Sequence, residues 1–154
     1  MKQHKYVITT TDEAATEHWA AQLGANLRGG ELIELSSDLG GGKTTFTRGL
    51  VRGAGSLDNV ASPTFTISRV YSAPKFSIQH FDFYRLAEAG LATYELQDLL
   101  EDPKIVVVVE WAIVVEDALP VDRLRITITT QNETTRLLEV NLPENLSYLV
   151  EGLC

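Results

Sequence analysis

Two rhythms run along this chain, one of period two and one near 3.6 residues. Tyr6–Thr10 reads as a short strand. Thr11 or Asp12 is placed to cap a helix reaching about Leu27, because Ala15, Trp19, Ala20 and Leu23 recur at helical spacing. Arg28-Gly29-Gly30 ends that helix, and the apolar run Glu31–Leu35 predicts a second strand. A further helix is expected from Lys43 to about Arg52, stopped by Gly53-Ala54-Gly55. Thr64–Tyr71 and Phe76–Phe83 alternate and carry β-branched and aromatic residues. The short SAPK between them predicts a hairpin. Leu86–Leu100 reads as helical, with an apolar stripe at Leu96, Leu99 and Leu100. Ile105–Val109 is apolar throughout, as in a strand buried on both faces. Arg123–Thr129 and Leu137–Leu142 alternate again around a polar QNET turn, and Ser147–Leu153 predicts a short terminal helix. Helices interleaved with strands, one of them fully buried, argue for an α/β fold with a mixed sheet.

Composition narrows the picture. The chain of 154 residues is long enough to bury a real core and is read as one domain, residues 1–154. Thirteen basic against 21 acidic side chains leave a net charge of −8. That balance argues against direct nucleic-acid contact, which needs a basic face. It also means that a bound polyphosphate needs local cationic help, from a metal ion or a few placed Lys and Arg. The single cysteine, Cys154, allows no intrachain disulfide and fits a reducing cytosol. The first residues, MKQHKYVITTTDEAAT, lack the apolar core of a signal peptide, and IVVVV is too short to span a bilayer. A cytoplasmic location is expected, so the sequons at Asn132 and Asn145 carry no message.

Four segments carry candidate chemistry. The stretch Ser36–Thr45, SSDLGGGKTT, sits between a strand and a helix. It approaches the phosphate-loop pattern G-x-x-x-x-G-K-[ST], with Gly42, Lys43 and Thr44 as its second half and Ser37 in place of the first glycine. Glycines let successive backbone N–H groups turn toward one point, and the helix start adds donors and a positive dipole end. Lys43 would then reach the β and γ phosphates, and the Thr44 hydroxyl would ligate Mg²⁺. A glycine-rich turn with a chance lysine is the plain alternative, and the flanking strand and helix weigh against it.

Glu110-Trp111 follows IVVVV directly. A buried strand ending in a carboxylate places it at the sheet's C-terminal edge, where ligands of open α/β sheets bind. An acid there contacts Mg²⁺ in phosphate-loop proteins. The plain alternatives are a solvated acid and a tryptophan packed in the core. In His80–Arg85, HFDFYR, alternation puts His80, Asp82 and Tyr84 on one face and Phe81 and Phe83 on the other. Asp82 could polarise an attacking water and Arg85 could stabilise charge on a transferred phosphoryl group. On spacing alone, a structural His–Asp hydrogen bond is the better explanation. Thr64, in Ser62-Pro63-Thr64, stands where a switch loop senses a γ-phosphate, although on local evidence alone a proline turn leading a strand is the better explanation.

Together DLGGGKTTFTRGL, SPTFT, HFDFYRLAE and VVVVEW, in this order, resemble the TsaE (YjeE) family of bacterial P-loop ATPases, with the match strongest over Glu31–Trp111. The resemblance implies a three-layer P-loop NTPase-like domain with a mixed, mostly parallel central sheet. It implies ATP or ADP bound with Mg²⁺ as cofactors. It also implies action with the TsaD and TsaB proteins in N6-threonylcarbamoyladenosine modification of tRNA at position 37. By the same resemblance the nucleotide lies along Ser37, Asp38, Leu39, Gly40, Gly41, Gly42, Lys43, Thr44 and Thr45, with Thr44 and Glu110 as metal ligands. Asp82 matches the acid of the family's HxDxYR pattern that is important for hydrolysis, and Trp111 its tryptophan beside the acid. Thr64, His80, Tyr84 and Arg85 take switch or supporting places. Thr11 and Arg136 are assigned to the adenine, since the family uses the first helix and the last hairpin there. Two departures stand out: Ser37 replaces the usual glycine, which bears on nucleotide affinity. LAEAGLATYELQDLL lacks the usual acids, which bears on the partner surface. The other functions to weigh are a nucleotide-sensing assembly factor with incidental hydrolysis and a small-molecule kinase. A GTPase is disfavoured, because no N-K-x-D string is present.

Overall fold

The apolar run Ile105–Val109 becomes an interior strand of the molecule's sheet. The computed structural model describes residues 2–37, 42–61, 68–84 and 90–153. Seven strands form one sheet: β1 (Gln3–Thr10), β2 (Leu32–Ser37), β3 (Ser68–Ser72), β4 (Ser77–Asp82), β5 (Ile105–Glu110), β6 (Leu124–Thr130) and β7 (Arg136–Pro143). Their order is β1-β7-β6-β2-β5-β4-β3. β5 lies between β2 and β4 and runs parallel to both; β6 joins β2 in parallel, while β1, β7 and β3 pair antiparallel at the flanks. The sheet is therefore mixed, with a parallel centre.

A parallel centre must be covered on both faces, and it is. Val106 and Val108 join Ile33, Leu35, Ile78 and Ile126 beneath α1 (Glu13–Ala25) and α2 (Lys43–Gly53). Val107 and Val109 point the other way, into Phe81, Phe83, Leu96, Val115 and Leu119. That second layer comes from α3 (Gly90–Leu100) and the 3-10 segment Ala112–Ala118. The alternation of buried valines is what a strand with core on both sides requires.

Helices α1 and α2 meet backbone to backbone. A Cβ built at Gly49 would lie 2.2 Å from the Glu17 carbonyl oxygen, and one at Gly53 would lie 1.9 Å from that of Ala21. Gly53 is thus part of the helix seam, and the chain leaves α2 only after it. This seam fixes the direction of α2, and so the place of its first residue, Lys43.

Three boundaries differ from expectation. β1 begins at Gln3, because the strand pairs with β7 all the way from Gln3↔Pro143 to Thr10↔Arg136. The last helix is a 3-10 segment, Glu144–Val150, directly behind Pro143, which holds φ −76°. It is pinned by buried Leu149 and Val150 and by the Tyr148 hydroxyl on Glu31 (2.6 Å). The turn Ala112–Ala118 gives no period long enough to read. No helix among the described residues is long and apolar enough to cross a membrane.

Candidate nucleotide site

β2 delivers the chain to the start of α2, and the local sequence explains how. Gly42 caps the helix with φ 105°, a left-handed conformation that glycine adopts at little cost. The amide of Phe46 is the first to close onto Gly42, at 3.0 Å. The earlier amides of the first turn are left to point outward, as at any helix start. Of the predicted loop, Asp38, Leu39, Gly40 and Gly41 lie outside the described residues, as do Thr64 and Arg85.

Lys43, only 9% exposed, turns back over the sheet edge. Its Nζ donates to Ser37 Oγ (3.1 Å) and Ser37 O (3.4 Å) and lies 3.9 Å from Glu110 Oε1. The Trp111 ring sits beneath it, 5.0 Å from Nζ to the ring centre. Trp111 in turn packs against Tyr84 at 4.8 Å between centroids. Trp111 holds φ 56°, the one left-handed non-glycine among the described residues. Such a conformation costs about 1–2 kcal/mol. It turns the chain sharply off β5 and lays the indole beside the lysine.

Parallel pairing sets the acids. Asp82 and Glu110 are register partners at the ends of β4 and β5, and Leu35 of β2 stands level with Glu110. Asp82 Oδ1 accepts the Tyr84 amide (2.9 Å). Burial, the largest influence, raises the Asp82 pKa; the Tyr84 hydrogen bond opposes it and the Glu110 charge adds to it. The histidine next to it does not behave as the spacing predicted. His80 Nε2 bonds Glu110 Oε2, and not Asp82. The carboxylate of Asp82 is drawn forward to its own turn, while that of Glu110 meets His80 diagonally, two register positions back.

These groups open on a cleft of about 720 Å³, lined by Gly42, Lys43, Thr44, Thr45, Asp82, Glu110, Trp111 and Arg136. Its remaining wall comes from the first helix and the last hairpin, the two places the resemblance pointed to, through residues not named there. Asp12, Glu13, Ala14 and Thr16 bring the start of α1, and Glu133 and Thr134 bring the β6–β7 turn. Asp12 caps α1 by accepting the Ala15 amide at 2.7 Å. Thr11 is not among the lining residues; its neighbours on the helix side are. Arg136 is: its Nη1 donates to Asn132 O (2.9 Å) and Thr135 O (3.1 Å), and a Cβ at Gly42 would lie 3.8 Å from its Nε. The signal that could have found the first-helix residues is the N-cap position of Asp12, read as a helix start and not as a cleft wall.

The lining carries five carboxylates, Asp12, Glu13, Asp82, Glu110 and Glu133, against the cations Lys43 and Arg136. A polyphosphate entering here meets net negative charge, which a divalent cation arriving with it would offset in large part. Among the described residues no group of three His, Cys, Asp or Glu side chains gathers to hold a metal by itself. A hydroxyl and a carboxylate, Thr44 and Glu110, do line the cleft together. That is the donor set Mg²⁺ takes when phosphate oxygens and water complete its shell.

Comparison with known proteins places the chain in a family. The family described as "Threonylcarbamoyl adenosine biosynthesis protein TsaE" matches residues 10–138. The tRNA threonylcarbamoyladenosine biosynthesis protein TsaE of Bacillus subtilis is 36% identical over 140 residues, 88% of this chain and 84% of that one. The protein of the same name from Streptomyces coelicolor is 45% identical over 107 residues, 66% of this chain and 70% of its own. The crystal structure of YdiB from Bacillus subtilis superposes with a TM-score of 0.80 at 30% identity, covering 99% of this chain and 96% of the other. The chain belongs to the TsaE family of threonylcarbamoyl adenosine biosynthesis proteins.

Proposed function

We propose that residues 1–154 form one P-loop ATPase domain, dependent on Mg²⁺ and working in the cytoplasm. Its hydrolysis of ATP to ADP and phosphate would support the TsaB–TsaD machinery in N6-threonylcarbamoyladenosine modification of tRNA. The observation that carries this reading is the meeting of Lys43, Thr44, Asp82 and Glu110 around one cleft at the C-terminal edge of the parallel strands. Lys43 would hold the β and γ phosphates, with the first amides of α2 beside it. Mg²⁺, held by Thr44 and Glu110, would neutralise phosphate charge. Asp82, whose raised pKa makes it a better proton acceptor than an ordinary aspartate, would orient and polarise the attacking water. Positioning and electrostatics suffice for such a transfer. The wall formed by Asp12–Thr16 and the β6–β7 turn would take the base. The acidity of the chain supports action through protein partners and not by direct contact with tRNA.

Calorimetry with ATP and Mg²⁺, followed by turnover with and without TsaB and TsaD, tests this. Binding together with partner-stimulated phosphate release is expected; absence of binding at millimolar nucleotide overturns it. Phosphorylation of an added small acceptor would instead favour a kinase. Modification that survives Glu110→Gln, with hydrolysis gone, would favour an assembly factor.

A further inference from the structure

We propose that His80 is a positioning residue that holds the Glu110 carboxylate in its cation-binding orientation, an inference that rests on the nucleotide-site reading above. His80 does not line the cleft; it is 1% exposed, two residues before Asp82 on β4. Its Nε2–H donates to Glu110 Oε2, which assigns the proton to that nitrogen. The other ring nitrogen, Nδ1, is buried without a hydrogen-bond partner among the described residues. A side chain serving only as filler would not carry that cost, because burying an unpaired polar atom is unfavourable and an apolar residue of similar size avoids it. The Glu110 bond is what the imidazole contributes here.

The geometry shows what the bond prevents. Glu110 has two neighbours, His80 on Oε2 and Lys43 on Oε1, the latter at 3.9 Å. Freed of the imidazole, the carboxylate would swing toward the ammonium and close a tighter ion pair. That motion would remove an oxygen from the cation's place beside Thr44. With His80 present, Oε2 is tied down, and Lys43 keeps its longer contact and its bonds to Ser37. Carboxylates that bind metals are commonly braced this way, and loss of the brace typically costs about 10–100-fold in metal affinity.

The test measures ADP affinity by calorimetry, with Mg²⁺ and with EDTA, in the wild type and in His80→Leu, His80→Gln and His80→Asn. The glutamine amide nitrogen can take the place of Nε2, whereas that of asparagine lies nearer Nδ1. Affinity in EDTA should stay within about twofold across the set, since a brace on Glu110 does not touch the phosphates. The gain from Mg²⁺ should fall about 10–100-fold in His80→Leu, be largely restored in His80→Gln, and stay low in His80→Asn. Should the leucine variant fail to unfold cooperatively, the glutamine and asparagine variants decide between them. Equal Mg²⁺ gains in those two, or an undiminished gain in a folded leucine variant, overturn the role of His80 alone. A wild type that binds no nucleotide overturns the site reading with it.

Discussion

Among the described residues two buried cations stand among carboxylates, and they are built differently. Arg123, at the entry to β6, spends its whole guanidinium inside the fold. Nε and Nη2 reach Glu34 Oε1 at 3.2 and 3.0 Å, Nη2 also reaches Glu116 at 2.7 Å, and Nη1 donates to Pro120 O at 2.6 Å. Lys43 is nearly as buried, yet its contacts are long: 3.1 and 3.4 Å to Ser37 and 3.9 Å to Glu110. The planar guanidinium matches its acceptors and leaves nothing to offer a ligand. The ammonium is a mobile point charge facing a cleft. Burial of charge is therefore not the mark of the site; incomplete satisfaction beside an open volume is.

That contrast can be broken experimentally. The largest effect is expected for Asp82→Asn, which keeps shape and removes the proton acceptor. Partner-stimulated turnover should fall about 10²–10⁴-fold with ATP affinity retained; unchanged turnover would take Asp82 out of the chemistry. Next, Arg123→Ala leaves partly buried Glu34 without its cation and should cost about 3 kcal/mol in urea unfolding, at the lower end for a broken buried pair because Glu34 is only partly buried and Glu116 is half exposed. The folded fraction should still bind ATP as before. Lys43→Ala should show the opposite pattern: at least about 100-fold weaker ATP binding, or roughly 2.7 kcal/mol. Its stability should change by no more than about 1 kcal/mol, the net worth of one hydrogen bond. If the arginine variant lost nucleotide and the lysine variant lost the fold, the distinction between closed and open clusters would be reversed. Ser37→Gly should alter ATP affinity by less than about threefold or tighten it, since Lys43 would lose a competing acceptor; a larger loss would show that the Ser37 hydroxyl itself serves the ligand.

The smallest effect concerns pH. The folded-state pKa of Asp82 is raised, so the native protein holds this proton more tightly than the unfolded chain. Its contribution to stability is fully present below the ordinary aspartate range and is lost as pH rises through the raised value. Asp82→Asn should therefore stabilise the protein slightly at neutral pH, with the difference shrinking toward acid. A constant difference in unfolding midpoint across that range would contradict the burial argument.

Much of this site could be read from short-range pattern. The helix start at Lys43, the acid closing an apolar strand at Glu110 and the alternation across His80 and Asp82 all follow from spacing within a few residues. Asp82, Glu110, Lys43, Thr44 and Arg136 do come together on one cleft. Thr11 stays off its wall, and His80 takes Glu110 where the spacing pointed to Asp82.

What the sequence determined alone was local: which segments are strands or helices, where glycine lets the backbone turn, and which chemistry-bearing residue ends each element. What tertiary structure decided was partnership. The parallel register of β4 on β5 sets Asp82 level with Glu110 and lets His80 reach across. The antiparallel β6–β7 hairpin and the glycine seam between α1 and α2 bring residues some 120 positions apart, Asp12 and Arg136, to the same cleft. Periodicity records which face of an element is apolar. It holds no record of which other element that face will meet, because that choice is made by packing across the whole sheet.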